Sequence, residues 1–156
     1  MNLKTLKESY IPLQKKHGLP EFEKLNQDFT IEKIKKETDY PLREIRRIIL
    51  RRLGNYLGFI ETLINPASAP SFIHIYLKNL TSEDKENMEK IYTALNEMNI
   101  SAFAIELEYS EKAEADMIKK IYKKWQEIKP AFKSIFKNLQ KSWSSQTERK
   151  EKTYFG

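Results

Sequence analysis

Apolar residues recur along this chain every three or four positions, the spacing at which one face of an α-helix returns. Leu3, Leu6, Tyr10 and Leu13 share such a face, and Pro12 is expected to kink or split that first helix. The run His17-Gly18-Leu19-Pro20 reads as a stop and restart, since Gly18 is free to take a positive φ and Pro20 suits a first turn. Phe22, Leu25 and Phe29 mark a short helix, and Thr30 can cap another short piece carrying Ile31 and Ile34. A long helix is expected from near Asp39, its N-cap, through Pro41 in the first turn to Ile64, where Asn65-Pro66 ends it. Residues 65–70 form the most evident loop. Residues 71–80 follow, with Phe72, Ile73, Tyr76, Leu77 and Leu80 at helical spacing. Thr81 and Asp84 resemble a capping box ahead of Met88, Ile91, Tyr92, Leu95 and Met98. Ser110 is placed to cap the last helix, whose apolar face runs from Met117 through Trp125 and Phe136 to Trp143, with Pro130 pointing outward.

One segment departs from this period. Phe103, Ile105, Leu107 and Tyr109 alternate with Ala104, Glu106 and Glu108, as in a strand. A lone strand needs a partner, and only 72–77 offers one. A helical or extended connector is the favoured reading of 103–109, with a small two-stranded ribbon at 72–77/103–109 as the alternative. The expected fold is therefore all-α: an elongated bundle of five to seven helices with two long ones, 40–64 and 111–143, as its spine. Residues 1–143 are expected to form a single helical domain, and 144–156 a polar disordered tail.

The chain has 156 residues, enough for one self-supporting core, and no Cys. The absence of Cys excludes disulfides, thiolate metal sites and cysteine nucleophiles, and fits a reducing cytoplasm, the expected location. No apolar run is long enough to span a bilayer, and the first residues lack the apolar stretch of a signal peptide, so no membrane partner is expected.

The runs Leu19-Pro20-Glu21-Phe22-Glu23-Lys24-Leu25-Asn26 and Leu42-Arg43-Glu44-Ile45-Arg46-Arg47 resemble those of short, all-helical proteins of uncharacterised archaeal families. The resemblance implies a helical fold. It implies no activity and carries over no functional residue.

Charge changes the picture more. Of six Arg, five lie in one ten-residue window: Arg43, Arg46, Arg47, Arg51 and Arg52. Guanidinium makes fixed, bidentate contacts where Lys is a mobile point charge, so a local switch to Arg suggests geometry. On a helical wheel, Leu42, Ile45, Ile49, Leu53, Tyr56, Ile60, Leu63 and Ile64 share a broad apolar face. Arg43, Arg47 and Arg51 stand opposite, and Gly54 and Gly58 continue that side. Each Gly costs about 1 kcal/mol relative to Ala in a helix interior. These five residues form a candidate docking face for phosphate or carboxylate groups. The alternative is a partly solvated face whose Arg pair with Glu of the same chain and whose Gly pack against the N-terminal helices. Arg46 and Arg52 flank the apolar face and are expected to make internal pairs or to lay their stems over the core.

Along the last helix Lys119, Lys123, Lys133, Lys137 and Lys141 lie opposite the apolar face. Lys133, Lys137 and Lys141 are candidate contacts, with a solvated face as the alternative. Residues 1–66 carry a net charge of +4, residues 67–117 of −6 and residues 118–156 of +8. Either the acidic middle cancels the basic ends within the fold, or the ends form a surface for polyanions. No zinc finger, RNA-recognition signature, helix-turn-helix or sustained heptad accompanies the Arg cluster.

Catalytic candidates are thin. No Gly-rich phosphate loop or nucleophile elbow occurs. His17 sits at a helix stop, and His74 lies opposite an apolar face, too far along the chain for ligand spacing. The acidic residues Glu106, Glu108, Glu111, Glu114 and Asp116 could bind Mg²⁺ if they converged, but Glu111 and Glu114 fall in a first turn, where capping accounts for them. The expectation is a non-enzymatic protein-interaction module or small complex subunit with no cofactor and no metal. A nonspecific RNA- or DNA-binding protein using the Arg and Lys helices is the alternative, and a metal-dependent hydrolase ranks below it. The identity of the protein partner and the oligomeric state are not written in the sequence.

Overall fold

The computed structural model describes the backbone of residues 3–34 and 37–155, with their side chains except at 3–5, 68 and 146–155. It is an all-α bundle of six helices: α1 (Leu3–His17), α2 (Phe22–Phe29), α3 (Pro41–Ile64), α4 (Ser71–Leu77), α5 (Ser82–Glu106) and α6 (Glu111–Phe155). Single 3₁₀ turns lie at Ile31–Lys33 and Pro66–Ser68.

Local chemistry sets most boundaries. Gly18, at φ +64°, closes α1. Pro12 sits inside α1, which runs unbroken through it, so the expected split does not occur. Leu3, expected on the apolar face of α1, falls outside the described side chains, whereas Leu6 and Tyr10 are fully buried. Pro41 occupies the first position of α3, and the Glu44 N–H donates to the Tyr40 carbonyl at 3.2 Å, which makes Tyr40 the N-cap one residue after the expected Asp39. The Tyr40 N–H is itself held by Thr38 Oγ1 at 3.0 Å.

The capping box ahead of α5 is formed. The Thr81 N–H donates to Asp84 Oδ2 and the Asp84 N–H to Thr81 Oγ1, both at 3.1 Å. Asp84 is buried and also accepts from Asn138 Nδ2 at 2.9 Å, which joins this cap to α6. Ser110 caps α6, its Oγ accepting from the Ala113 N–H at 3.2 Å.

Three expectations need correction. No strand occurs among the described residues: 72–77 lies in α4 and 103–106 in α5, so there is no ribbon. The alternation at 103–109 falls on the last turn of α5, which buries one face and leaves apolar side chains on another, and on the non-helical connector 107–110 that follows it. For the same reason there are three long helices rather than two. Finally, α6 does not stop near Trp143 but continues through Phe155. The stretch after Trp143 holds Gln, Glu, Arg and Lys and no Pro, and so opposes no helix. Pro130 lies inside α6, exposed, with the apolar face uninterrupted on either side of it.

The described chain divides into two compact units, 1–56 with 95–126, and 57–94 with 127–156. In the first, Leu6, Tyr10, Phe22, Leu25, Phe29 and Ile31 are buried, as are Leu42, Ile45 and Ile49 of α3 and Ile118 and Ile121 of α6. The Tyr10 hydroxyl donates to the Pro20 carbonyl at 2.7 Å, and burial pushes the pKa of this phenol up. In the second, Ile60, Leu63, Ile73, Met88, Ile91, Ile128, Phe132 and Ile135 are buried. Among the described residues no helix is long and apolar enough to cross a membrane.

Candidate functional site

The Arg window of α3 lies in the first unit, where it divides into two groups with different fates. Arg43, Arg46 and Arg47 face carboxylates of the same chain. Glu114, in the first turn of α6, is fully buried and accepts from Arg43 Nε at 3.0 Å, from Arg46 Nε at 2.5 Å and from Arg46 Nη2 at 3.2 Å. Arg46, 1% exposed, donates from the same Nη2 to Glu106 Oε1 at 2.7 Å. Arg47 spans Glu106, at 3.0 and 2.9 Å, and Glu44, at 2.9 Å. Arg43 also donates to the Ile105 carbonyl at 3.2 Å and lies 5.1 Å from the Tyr109 ring centre.

The protonation states follow from this geometry. The Arg47 and Arg46 guanidiniums pull Glu106 down to about 2. Burial works against the Arg46 charge, but the hydrogen bonds and fields of Glu114 and Glu106 together outweigh it and raise its pKa. Three cations and three carboxylates thus close a network that fastens the start of α3 to the α5–α6 corner.

This takes two of the five residues, Arg43 and Arg47, out of the expected docking face. Arg43 and Arg47 are matched by carboxylates of the same chain. Glu114 serves buried guanidiniums as well as the helix start, and Glu111 meets Lys16 Nζ and His17 Nε2, each at 2.7 Å. Asp116 pairs with Lys119 at 3.0 Å. Of the carboxylates suggested as a magnesium cluster, Glu106 and Glu114 are thus bound by the Arg of α3, Glu111 by Lys16 and His17, and Asp116 by Lys119, while Glu108 is exposed. Among the described residues no group of three or more His, Asp or Glu could hold a metal ion. Gly54 and Gly58 do not pack closely: a Cβ built on either meets nothing within 4 Å. Gly58 moreover belongs to the second unit, as do Lys133, Lys137 and Lys141, which are exposed along one row of α6 and make no ion pair among the described residues.

Arg51 and Arg52 are the remaining group. Arg51 is exposed and has no hydrogen bond or ion pair among the described residues. Arg52 donates to Thr30 Oγ1 at 2.7 Å. Both line an open pocket of about 520 Å³ together with Thr30, Lys33, Asn55 and Tyr56.

Two apolar surfaces were missed by the sequence reading. In the first unit Ile100, Phe103 and Leu107 are 70%, 73% and 89% exposed. They follow one another at i, i+3 and i+7, hence on one side of α5 and its end. The opposite side buries Met98 and Ala102. The signal was present as a helix apolar on two faces, one more than its own core requires. In the second unit Phe72 and Trp143 are exposed beside a groove of about 740 Å³ that also takes in Phe59, Tyr76 and Phe136. Trp143 therefore ends the apolar face of α6 outside the core.

Comparison of the chain with protein-family models, curated proteins and solved structures found no match.

Proposed function

We propose that this protein is a non-enzymatic interaction module that binds an amphipathic helix of another protein through Ile100, Phe103 and Leu107. The observation that carries this reading is the exposure of three large apolar side chains, Ile100 and Phe103 on the last turns of α5 and Leu107 just past its end. At about 200 Å² per large side chain they present on the order of 400 Å², within the range of the largest patch of a monomer, which is often functional. Covering that area yields roughly 10 kcal/mol before association costs, which remove most of it and leave a weak, transient contact with a Kd of roughly millimolar order.

Charge narrows the occupant. Glu97 and Glu108 stand exposed beside the stripe. An antiparallel second copy would bring these like charges together, and the patch is about half of what one side of a stable dimer buries. A partner helix edged by Lys or Arg meets the stripe and its border together. The test is fluorescence anisotropy with a synthetic Leu-faced helical peptide bordered by Lys, against the same peptide bordered by Glu. The expected result is binding of the Lys peptide alone, lost in Phe103→Ser/Leu107→Ser. Equal binding to both proteins, or concentration-dependent dimerisation of the wild type in sedimentation, overturns the reading.

A second reading rests on the exposed Lys133, Lys137 and Lys141 as a track for RNA or DNA. Nucleic acid then binds with an affinity falling steeply with salt, with a slope of about −0.7 per neutralised phosphate on single strands. A salt-titrated gel shift with the Lys-to-Glu triple variant decides it.

A further inference from the structure

We infer that the pocket formed by Lys33, Arg51 and Arg52 binds the phosphate group of a small phosphate ester. The inference is independent of the helix-binding stripe and uses none of its residues.

The argument begins with a contrast within one helix. Arg43, Arg46 and Arg47 each have a carboxylate of the same chain at hydrogen-bond distance. One turn further on, Arg51 and Arg52 have none. Lys33 joins them from the 3₁₀ turn after α2, and it too has no ion pair among the described residues. No Asp or Glu lines the pocket. The nearby acids are engaged elsewhere: Glu32 accepts from Asn26 Nδ2 at 2.6 Å, and Asp28 from Gln126 Nε2 at 2.8 Å. Three like charges gathered without a counter-ion repel one another, and a dianion in their midst relieves that repulsion.

The site is also shaped. Its volume of about 520 Å³ falls within the usual range for small-molecule pockets, and it adds the Asn55 amide and the Tyr56 ring to the cations. Tyr56 is stacked on Trp125, with ring centres 5.6 Å apart and planes at 20°, which fixes that wall. One arm of Arg52 is held by the Thr30 hydroxyl, so the guanidinium is oriented before any ligand arrives. Thr30 itself adopts φ +52°, a left-handed conformation unusual for a non-Gly residue. Guanidinium pairs bidentately with phosphate oxygens, and three cations favour a dianionic phosphate over a monoanionic carboxylate.

The test is a thermal-shift and calorimetric titration of the full chain at low salt with AMP, inorganic phosphate, adenosine and a single-stranded oligonucleotide. The expected result is stabilisation by AMP and, more weakly, by phosphate, with none by adenosine. In Lys33→Gln/Arg51→Gln the AMP affinity falls at least about tenfold, the scale of one lost charge-assisted hydrogen bond. Both substituted side chains are exposed and unpaired, so the ligand-free melting temperature should hold, and Arg47→Gln should leave AMP binding unchanged. The inference is overturned if millimolar AMP and phosphate leave the melting temperature unmoved, or if the double variant binds AMP as the wild type does. It is equally overturned if the oligonucleotide binds and AMP fails to compete, which assigns the cations to a nucleic-acid backbone.

Discussion

Replacing Glu114 by Gln keeps the size of the side chain and removes the charge on which the Arg network converges. Glu114 accepts three hydrogen bonds from two guanidiniums, and neither Glu114 nor Arg46 is reached by water to any useful extent. Breaking a buried ion pair from one side costs about 3–5 kcal/mol, because the remaining charge is left uncompensated. Arg46 retains Glu106, and Arg43 retains the Ile105 carbonyl and the Tyr109 ring, which places this substitution at the lower end, about 3 kcal/mol. For a chain of this size that is roughly 6–12 °C in melting temperature, at about 2–4 °C per kcal/mol. Removing both members, as Arg46→Met/Glu114→Leu, leaves no stranded charge at that pair and should cost less than Glu114→Gln alone. Urea unfolding of the wild type, Arg46→Met, Glu114→Leu and the double variant closes the cycle, with Glu114→Gln measured beside it. A loss below about 1 kcal/mol for Glu114→Gln, the range of exposed pairs, would refute the buried network. So would additive effects of the two single changes.

Further outcomes follow from the same geometry. Gly54→Ala and Gly58→Ala should each raise stability by about 0.5–1 kcal/mol in thermal melts, since the added methyl meets open space and the unfolded chain loses freedom. Gly18→Ala should lower it by about 1 kcal/mol because of its positive φ. Thr81→Ala should cost about 1 kcal/mol by deleting half of a formed capping box. Glu106 is held at about 2, below the ordinary value near 4.5, so its contribution is complete above pH 4.5 and is lost as pH falls through 2. Melts from pH 5 to pH 2 should therefore show a steeper decline for the wild type than for Glu106→Gln. Phe103→Ser/Leu107→Ser should change stability by less than about 0.5 kcal/mol per site, because these side chains support no core.

The helices were legible because their signals are local. Thr81 with Asp84, Ser110, Pro41 and Gly18 act within one turn of the backbone, and periodic Leu and Ile mark the inner faces. What the sequence concealed depends on residues distant along the chain. Arg43 and Arg47 appear as a free cationic face on a helical wheel because Glu106 and Glu114 lie about sixty to seventy positions away. Only folding separates them from Arg51, which looks equivalent on the wheel. The Gly pair suggested close packing, but the missing Cβ positions open onto nothing. The stripe on α5 was misread for a further reason. Apolar residues on two faces of one helix lose the 3.6-residue contrast, and what remains between 103 and 109 imitates a strand.

With Arg43, Arg46 and Arg47 paired inside the chain, the exposed apolar stripe of Ile100, Phe103 and Leu107 is the surface proposed to receive a partner helix. Calorimetric titration of the Lys-bordered amphipathic peptide at several temperatures tests this most directly. The account predicts one peptide per chain with a negative heat-capacity change, the mark of apolar burial. It also predicts that Phe103→Ser/Leu107→Ser abolishes this binding while Lys33→Gln/Arg51→Gln leaves it intact. Binding without a heat-capacity change, or binding that survives loss of Phe103 and Leu107, would contradict it.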